Sequence, residues 1–281
     1  MNAIPEEKQL AKLLQGVDIP PCPAILLEIN AELNKESPDQ REIARLISKD
    51  VALSGRVMLI ANSPAFSTGH KLASIIQALN VLGTQQVFNL VVAQLLKVAL
   101  AGQPELAMDD FWDSSAQTAR VAAELAKRLR CVRPDVAYTF GLFHDCGIPL
   151  LMKRFPQTLD VLGAANVADE HQFTEIEDSQ LGTNHAVVGY FLARRWHLPS
   201  DVSEAIQYHH DYSVLGASGH VSTVAKSLIA VAVLAEHIIR QRAGGLGEQE
   251  WAKAAPLACE HFGLSLGAVD DLVEDMCDWL A

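Results

Sequence analysis

The chain has 281 residues, 49% of them hydrophobic, with 22 Lys and Arg against 34 Asp and Glu for a formal charge of -12. That apolar content excludes a disordered chain, and the length provides for two packed lobes. The acidic balance, with basic residues scattered along the chain, excludes nonspecific phosphate-backbone binding, so no nucleic-acid partner is expected.

The first hundred residues repeat an apolar stripe at spacings of three and four, opened by a cap and closed by Pro, Gly or Asn. This predicts a stack of short helices. Ser37-Pro38-Asp39-Gln40 reads as a capping box with Ser37 at the N-cap, ahead of a helix burying Ile43, Leu46 and Ile47. Ala61-Asn62-Ser63-Pro64 marks a loop. Ser74-Ile75-Ile76-Gln77 caps a helix carrying Ile75, Leu79 and Leu82, which Gly83 ends by adopting positive φ. Thr84 then caps a helix through Val87, Leu90, Val91, Leu95 and Val98, apolar on more than one face and so expected between layers.

Composition breaks at Gly102-Gln103-Pro104, giving a first lobe over 1–105. In the helix from Phe111 to Arg130, Ala116, Ala119, Ala123 and Ala126 lie on one side and admit a close neighbour. Pro134 opens a helix running into Gly141-Leu142-Phe143-His144-Asp145-Cys146-Gly147. Gln172 to Asn184 is polar and reads as a loop, and Asn184 caps a helix through Val187, Phe191, Leu192 and Trp196. Helices from Asp201 to His210 and Val221 to Arg240 complete a second lobe over 106–242. Ala243-Gly244-Gly245-Leu246-Gly247 separates a C-terminal tail over 243–281, whose acidic amphipathic helix is expected to pack on the second lobe. Strand-like alternation is nearly absent, so the fold class is all-α.

Cys22, Cys131, Cys146, Cys259 and Cys277 form no CxxC spacing, and no signal-peptide core opens the sequence. Free thiols in a reducing cytoplasm are expected. The apolar stretches 88–101 and 221–233 are interrupted by polar residues and fall short of a bilayer span, so no membrane partner is expected.

His144 and Asp145 are adjacent, flanked by Gly141 and Gly147, and placed near a helix end where neighbouring side chains converge on one point. Alone, such a pair is more often a structural hydrogen bond. His185 and the consecutive His209-His210 add imidazoles at other helix edges. Imidazoles with one carboxylate suit a first-row divalent transition ion (Fe, Mn, Ni or Zn) rather than Mg²⁺. Cys146 and Trp196 read as core, and His220 and His237 are given no role.

The sequence resembles the HDOD group, the HD-related output domains of bacterial signalling proteins. The likeness rests on Ile19-Pro20-Pro21-Cys22-Pro23-Ala24, Ile47 to Leu53, Ala61-Asn62-Ser63, Ile76 to Leu79 and Leu82-Gly83. It continues through Phe111-Trp112, Gly141 to Asp145, His185 with Gly189, Trp196 to Pro199, and Ala205-Ile206 with His209-His210. The resemblance implies two helical lobes, the second an HD-domain-like bundle related to HD phosphohydrolases and to the HD-GYP enzymes that hydrolyse cyclic di-GMP. In those enzymes two metals share the Asp of the HD pair.

Carried onto this chain, one metal keeps Asp145, His185, His209 and His210. The other keeps His144 and Asp145 but meets Ser114 where a histidine is expected and Glu236 where an aspartate is expected. Ile148 stands where HD-GYP enzymes have a lysine, and Asp211-Tyr212-Ser213-Val214 replaces their Gly-Tyr-Pro loop. These departures imply a noncatalytic signalling module with a degenerate metal site, one divalent ion and a protein partner. The alternative is a metal-dependent phosphohydrolase acting on a nucleotide or cyclic nucleotide.

Overall fold

Carboxylate and hydroxyl caps set the helices of the N-terminal part. The computed structural model describes residues 12–62, 71–100, 108–168, 172–216, 220–245 and 249–280. Among them the chain is helical, without strands: α1 (Ala24–Leu33), α2 (Gln40–Ser48), α3 (Val51–Ala61), α4 (Ile75–Leu82) and α5 (Thr84–Leu100) come first. Then follow α6 (Met108–Leu129), α7 (Pro134–Phe143), α8 (Ile148–Arg154), α9 (Thr158–Asn166), α10 (Phe173–Leu181), α11 (His185–Arg195) and α12 (Ser200–Tyr208). A 3₁₀ turn (Tyr212–Leu215) leads to α13 (Thr223–Arg242), α14 (Gln249–Phe262) and α15 (Leu266–Leu280).

The cap of α2 is Asp39, not Ser37: its carboxylate accepts from Arg41 N at 2.8 Å. A charged acceptor beside the positive helix end outcompetes a hydroxyl two residues earlier. Gln40, expected to close that box, instead donates to Thr84 Oγ1 at 3.0 Å, and Thr84 is the first residue of α5 rather than its cap. Ser74 does cap α4, accepting from Gln77 N at 3.3 Å, and Gly83 ends that helix at φ +85°. Val87, Leu90 and Val91 are buried in α5, whereas Val98 is half exposed. The Asn62 side chain both accepts from Leu72 N and donates to Leu72 O. Ser63, Pro64, Leu246, Gly247 and the break at Gly102-Gln103-Pro104 lie outside the described residues.

The contacts divide the chain into two units: Pro20–Glu105 with Arg195–His197, and Met1–Ile19 with Leu106–Arg194 and Leu198–Ala281. In the first, Trp196 is 1% exposed and its indole donates to Pro20 O at 3.0 Å. The core of the second is built on α6, α7 and α13, which is buried along most of its length. On the α6–α7 contact a Cβ at Gly141 would lie 2.8 Å from Ala119 Cα, so a glycine against an alanine sets the close approach.

The stretch 172–184 is not a loop. It folds as α10, with Glu175 accepting from Gln172 N at 3.0 Å and Gly182 closing the helix at φ +74°. Phe173, Glu177 and Leu181 form its buried face, four residues apart. The central member of that stripe is a carboxylate, which hides the helical period.

Candidate metal centre

The centre is built where helices end. Helix α7 stops at Phe143, and His144 to Gly147 turn the chain into α8, with Cys146 N bonded to Phe143 O and Ile148 N to Asp145 O. The turn lies directly on the start of α11. A Cβ on Gly147 would come within 2.0 Å of His185 O and 2.8 Å of Gly189 N, so this approach requires glycine. Asn184 caps α11 by accepting from Val187 N at 2.8 Å, fixing His185 at the first helical position. His209 and His210 follow the last residue of α12.

These ends bring five predicted residues together. Asp145, His185, His209 and His210 each offer a ligand atom, all within 4.8 Å of one another. His185 Nε2 lies 3.1 Å from His209 Nε2, and these nitrogens lie 3.3 and 3.4 Å from Asp145 Oδ1. His144 Nε2 is 3.0 Å from Asp145 Oδ2 on the other side of the carboxylate. Donors about 2.1 Å from one ion stand about 3 to 4 Å apart, which these separations match.

Each histidine is aimed by its other nitrogen. His144 Nδ1 donates to Gly141 O at 2.9 Å, and His209 Nδ1 donates to Ile206 O at 2.7 Å. A carbonyl only accepts, so Nδ1 carries the proton in both rings and a neutral ring presents a bare Nε2. His185 Nδ1 faces Glu177 Oε2 at 2.6 Å, and His210 Nδ1 faces Glu250 Oε2 at 3.3 Å. Such outer acceptors fix ring orientation and raise the basicity of the ligand nitrogen.

Burial disfavours charge on these rings, but the carboxylates reverse it at two of them. His185 is pushed up to about 10 because Glu177 and Asp145 outweigh burial. His144 is raised well above the ordinary histidine value by Asp145 and Glu236 against the same opposition, and Asp145 is correspondingly held well below the carboxylate range. His209 falls to about 3 through burial and the neighbouring His210. Negative charge and convergent imidazoles together attract a cation, and the donor set fits a first-row divalent ion.

The cluster opens into a cavity of about 270 Å³, bordered by Ser114, Ser115 and Thr118 of α6, Ile148 of α8, and Glu236 and Arg240 of α13. Glu236 Oε1 is 3.4 Å from His144 Nε2, so this side holds a carboxylate as well as the imidazole. Ser114 is exposed and reaches the cavity with a hydroxyl only, while Ile148 adds an aliphatic wall. His237 stacks on Trp251, with ring centroids 3.8 Å apart. His220 is exposed.

Three contributors escape sequence reading: Glu177, Glu250 and Tyr212. Glu177 is fully buried within a segment that reads as a polar loop. Glu250 lies on α14, in the stretch assigned to the tail, yet is 4% exposed beneath His210 and also accepts from Tyr212 OH at 2.7 Å. A capping-box pattern at Gln172 to Glu175 is the one local signal that could have revealed α10. For Glu250 the sequence carries none.

The profile of the HDOD domain matches residues 19–212. A protein of Shewanella amazonensis SB2B, provisionally named a phosphohydrolase, has a solved structure 26% identical with a TM-score of 0.71, covering 95% of this chain and 94% of that one. An HDOD domain protein of unknown function from Geobacter sulfurreducens is also 26% identical, with a TM-score of 0.69 over 97% and 94% of the two chains. An uncharacterized protein of Treponema pallidum is 28% identical over 79% of this chain, which spans only 42% of its length.

Proposed function

This chain belongs to the HDOD family, and from that premise we propose that it is a noncatalytic regulatory module whose second unit holds one divalent transition ion. The carrying observation is the convergence of Asp145, His185, His209 and His210 within 4.8 Å of one another. Iron, manganese, nickel and zinc all suit this imidazole-rich set. The ion would supply a fixed positive charge joining the α7–α8 turn, the start of α11 and the end of α12. The chain's own part is to present three Nε2 atoms, each ring held through its Nδ1, and one carboxylate, with the ion displacing the proton that His185 otherwise carries.

Hydrolysis of a phosphate ester needs charge stabilisation on both the attacking and the leaving oxygen. Beside His144 the donor set is thinner: Ser114 offers a neutral hydroxyl and Ile148 no cation, and the Arg240 guanidinium that borders the cavity lies 3.7 Å from Glu236 Oε2. A regulatory role would operate through a protein partner, and α3, through its exposed apolar side chains, is a candidate surface for one. Its outer face carries Val51 at 83% and Leu59 at 75% exposure, two turns apart. No helix among the described residues is long and apolar enough to cross a membrane.

Glu236 favours a second reading, a metal-dependent phosphohydrolase of nucleotides or cyclic nucleotides. Its carboxylate beside His144 gives the poorer half of the site two charged or basic groups besides Asp145. The Shewanella protein's name points the same way.

The test is metal analysis of the purified chain, followed by phosphodiesterase assays with Mn²⁺, Fe²⁺ and Ni²⁺. One ion per chain and no turnover are expected. Turnover abolished by Asp145→Ala would establish the second reading instead. A chain that takes up none of these ions would remove the metal from both.

A further inference from the structure

Glu250 binds the metal centre to a helix that lies beyond the matched family region. Residues 19–212 contain Asp145, His185, His209 and His210, yet the acceptor behind His210 comes from α14 (Gln249–Phe262). Glu250 is 4% exposed and serves three donors. His210 Nδ1 lies 3.3 Å and Tyr212 OH 2.7 Å from its Oε2, and Lys253 Nζ lies 2.8 Å from its Oε1. His210 has Phe173 stacked on one face, with centroids 4.4 Å apart and planes 9° from parallel. The stack fixes the ring plane and leaves rotation within that plane to be set by hydrogen bonding. Glu250 is the acceptor that does so.

We propose that Glu250 is a positioning residue for the metal ligand His210, and that ion binding and the docking of α14 are thereby coupled. The inference rests on the reading of Asp145, His185, His209 and His210 as an ion site. An ionised carboxylate behind Nδ1 holds the proton there and turns a bare Nε2 toward Asp145. A glutamine could present its NH₂ to Nδ1 instead, favouring the tautomer with its proton on Nε2, which cannot ligate. Linkage makes the effect reciprocal. If docking of α14 raises affinity for the ion, the ion stabilises docked α14 by the same factor. Tyr212, in the 3₁₀ turn after the double histidine, donates to the same Glu250 oxygen and lies 3.5 Å from His210 Nδ1.

The experiment titrates the full chain with Ni²⁺ by calorimetry and follows hydrogen exchange over residues 249–262 with and without Ni²⁺. Glu250→Gln should weaken Ni²⁺ binding by about 10- to 100-fold with unchanged circular dichroism, and Glu250→Asp should recover part of it. Exchange over α14 should slow with Ni²⁺ in the wild type and not in His210→Ala. Should Glu250→Gln fail to fold, Tyr212→Phe removes only the donated hydroxyl, and a several-fold loss of affinity is expected. Equal Ni²⁺ affinity in the folded variants, with exchange over α14 indifferent to Ni²⁺, would overturn the coupling while leaving the ion site standing. A wild-type chain that binds neither Ni²⁺ nor Mn²⁺, Fe²⁺ or Zn²⁺ would overturn both.

Discussion

His185 and Glu177 meet in the interior with both side chains fully buried, the imidazole Nδ1 2.6 Å from the carboxylate and the backbone N of His185 3.3 Å from its other oxygen. One residue of α10 thus holds both the ring and the first turn of α11. Glu177→Ala leaves a buried imidazole nitrogen and a buried backbone N–H without that acceptor. The cost should be about 3 kcal/mol or more, the range for breaking a buried pair from one side. Urea unfolding in the presence of a chelator measures it apart from any metal contribution.

Ser114 is the place where the pocket beside His144 lacks a nitrogen. Ser114→His would add one on the wall already shared by Asp145 and Glu236. Bound metal should rise from one ion per chain to two, read by elemental analysis of protein loaded with Mn²⁺ or Fe²⁺. A stoichiometry still at one would show that the hydroxyl at 114 is not what limits this half of the site.

Gly147 faces the opposite constraint, since even one methyl group does not fit. The Cβ of Gly147→Ala would stand 2.0 Å from His185 O, a backbone atom that cannot rotate away. The turn and α11 must separate, with an expected loss of about 3 kcal/mol or more, at the upper end for overpacking. Because the displaced elements carry Asp145 and His185, Ni²⁺ affinity should collapse as well. Unchanged affinity in a destabilised variant would count against the turn as the anchor of the site.

Alkaline stability supplies a check away from the metal. Burial pushes the Tyr138 phenol up to about 12. A group that holds its proton more tightly when folded contributes stability that is complete below its unfolded value of about 10 and is lost as pH rises from there through about 12. The loss attributable to this phenol should be about 2 to 3 kcal/mol across that window. Tyr138→Phe should therefore flatten the alkaline decline in unfolding free energy relative to the wild type. Parallel curves for the two proteins would refute the assignment.

The parts of this protein legible in its sequence are those written in local pattern. His144 and Asp145 are neighbours, His209 and His210 are neighbours, and His185 follows the Asn184 cap, so one helix end or turn explains each position. Three helices of the first hundred residues, α2, α4 and α5, are equally plain, although Asp39 caps α2 because a carboxylate caps better than the serine two residues earlier. Glu177 was hidden because a buried charge in an apolar stripe resembles the solvent face of a loop. Glu250 was hidden because forty residues separate it from His210, and only packing closes that gap. Charge at a buried position reads as surface until its partner is known.

The distance along the chain between His210 and Glu250 bears on where this protein could be cut. A chain ending at residue 212 would retain all five candidate ligands and every residue matched to the family. It would lack α13, and with it Glu236, and α14, with the carboxylate behind His210. A domain shortened in that way would look complete by its motif and have lost a core helix as well as one of the four holds on its imidazoles.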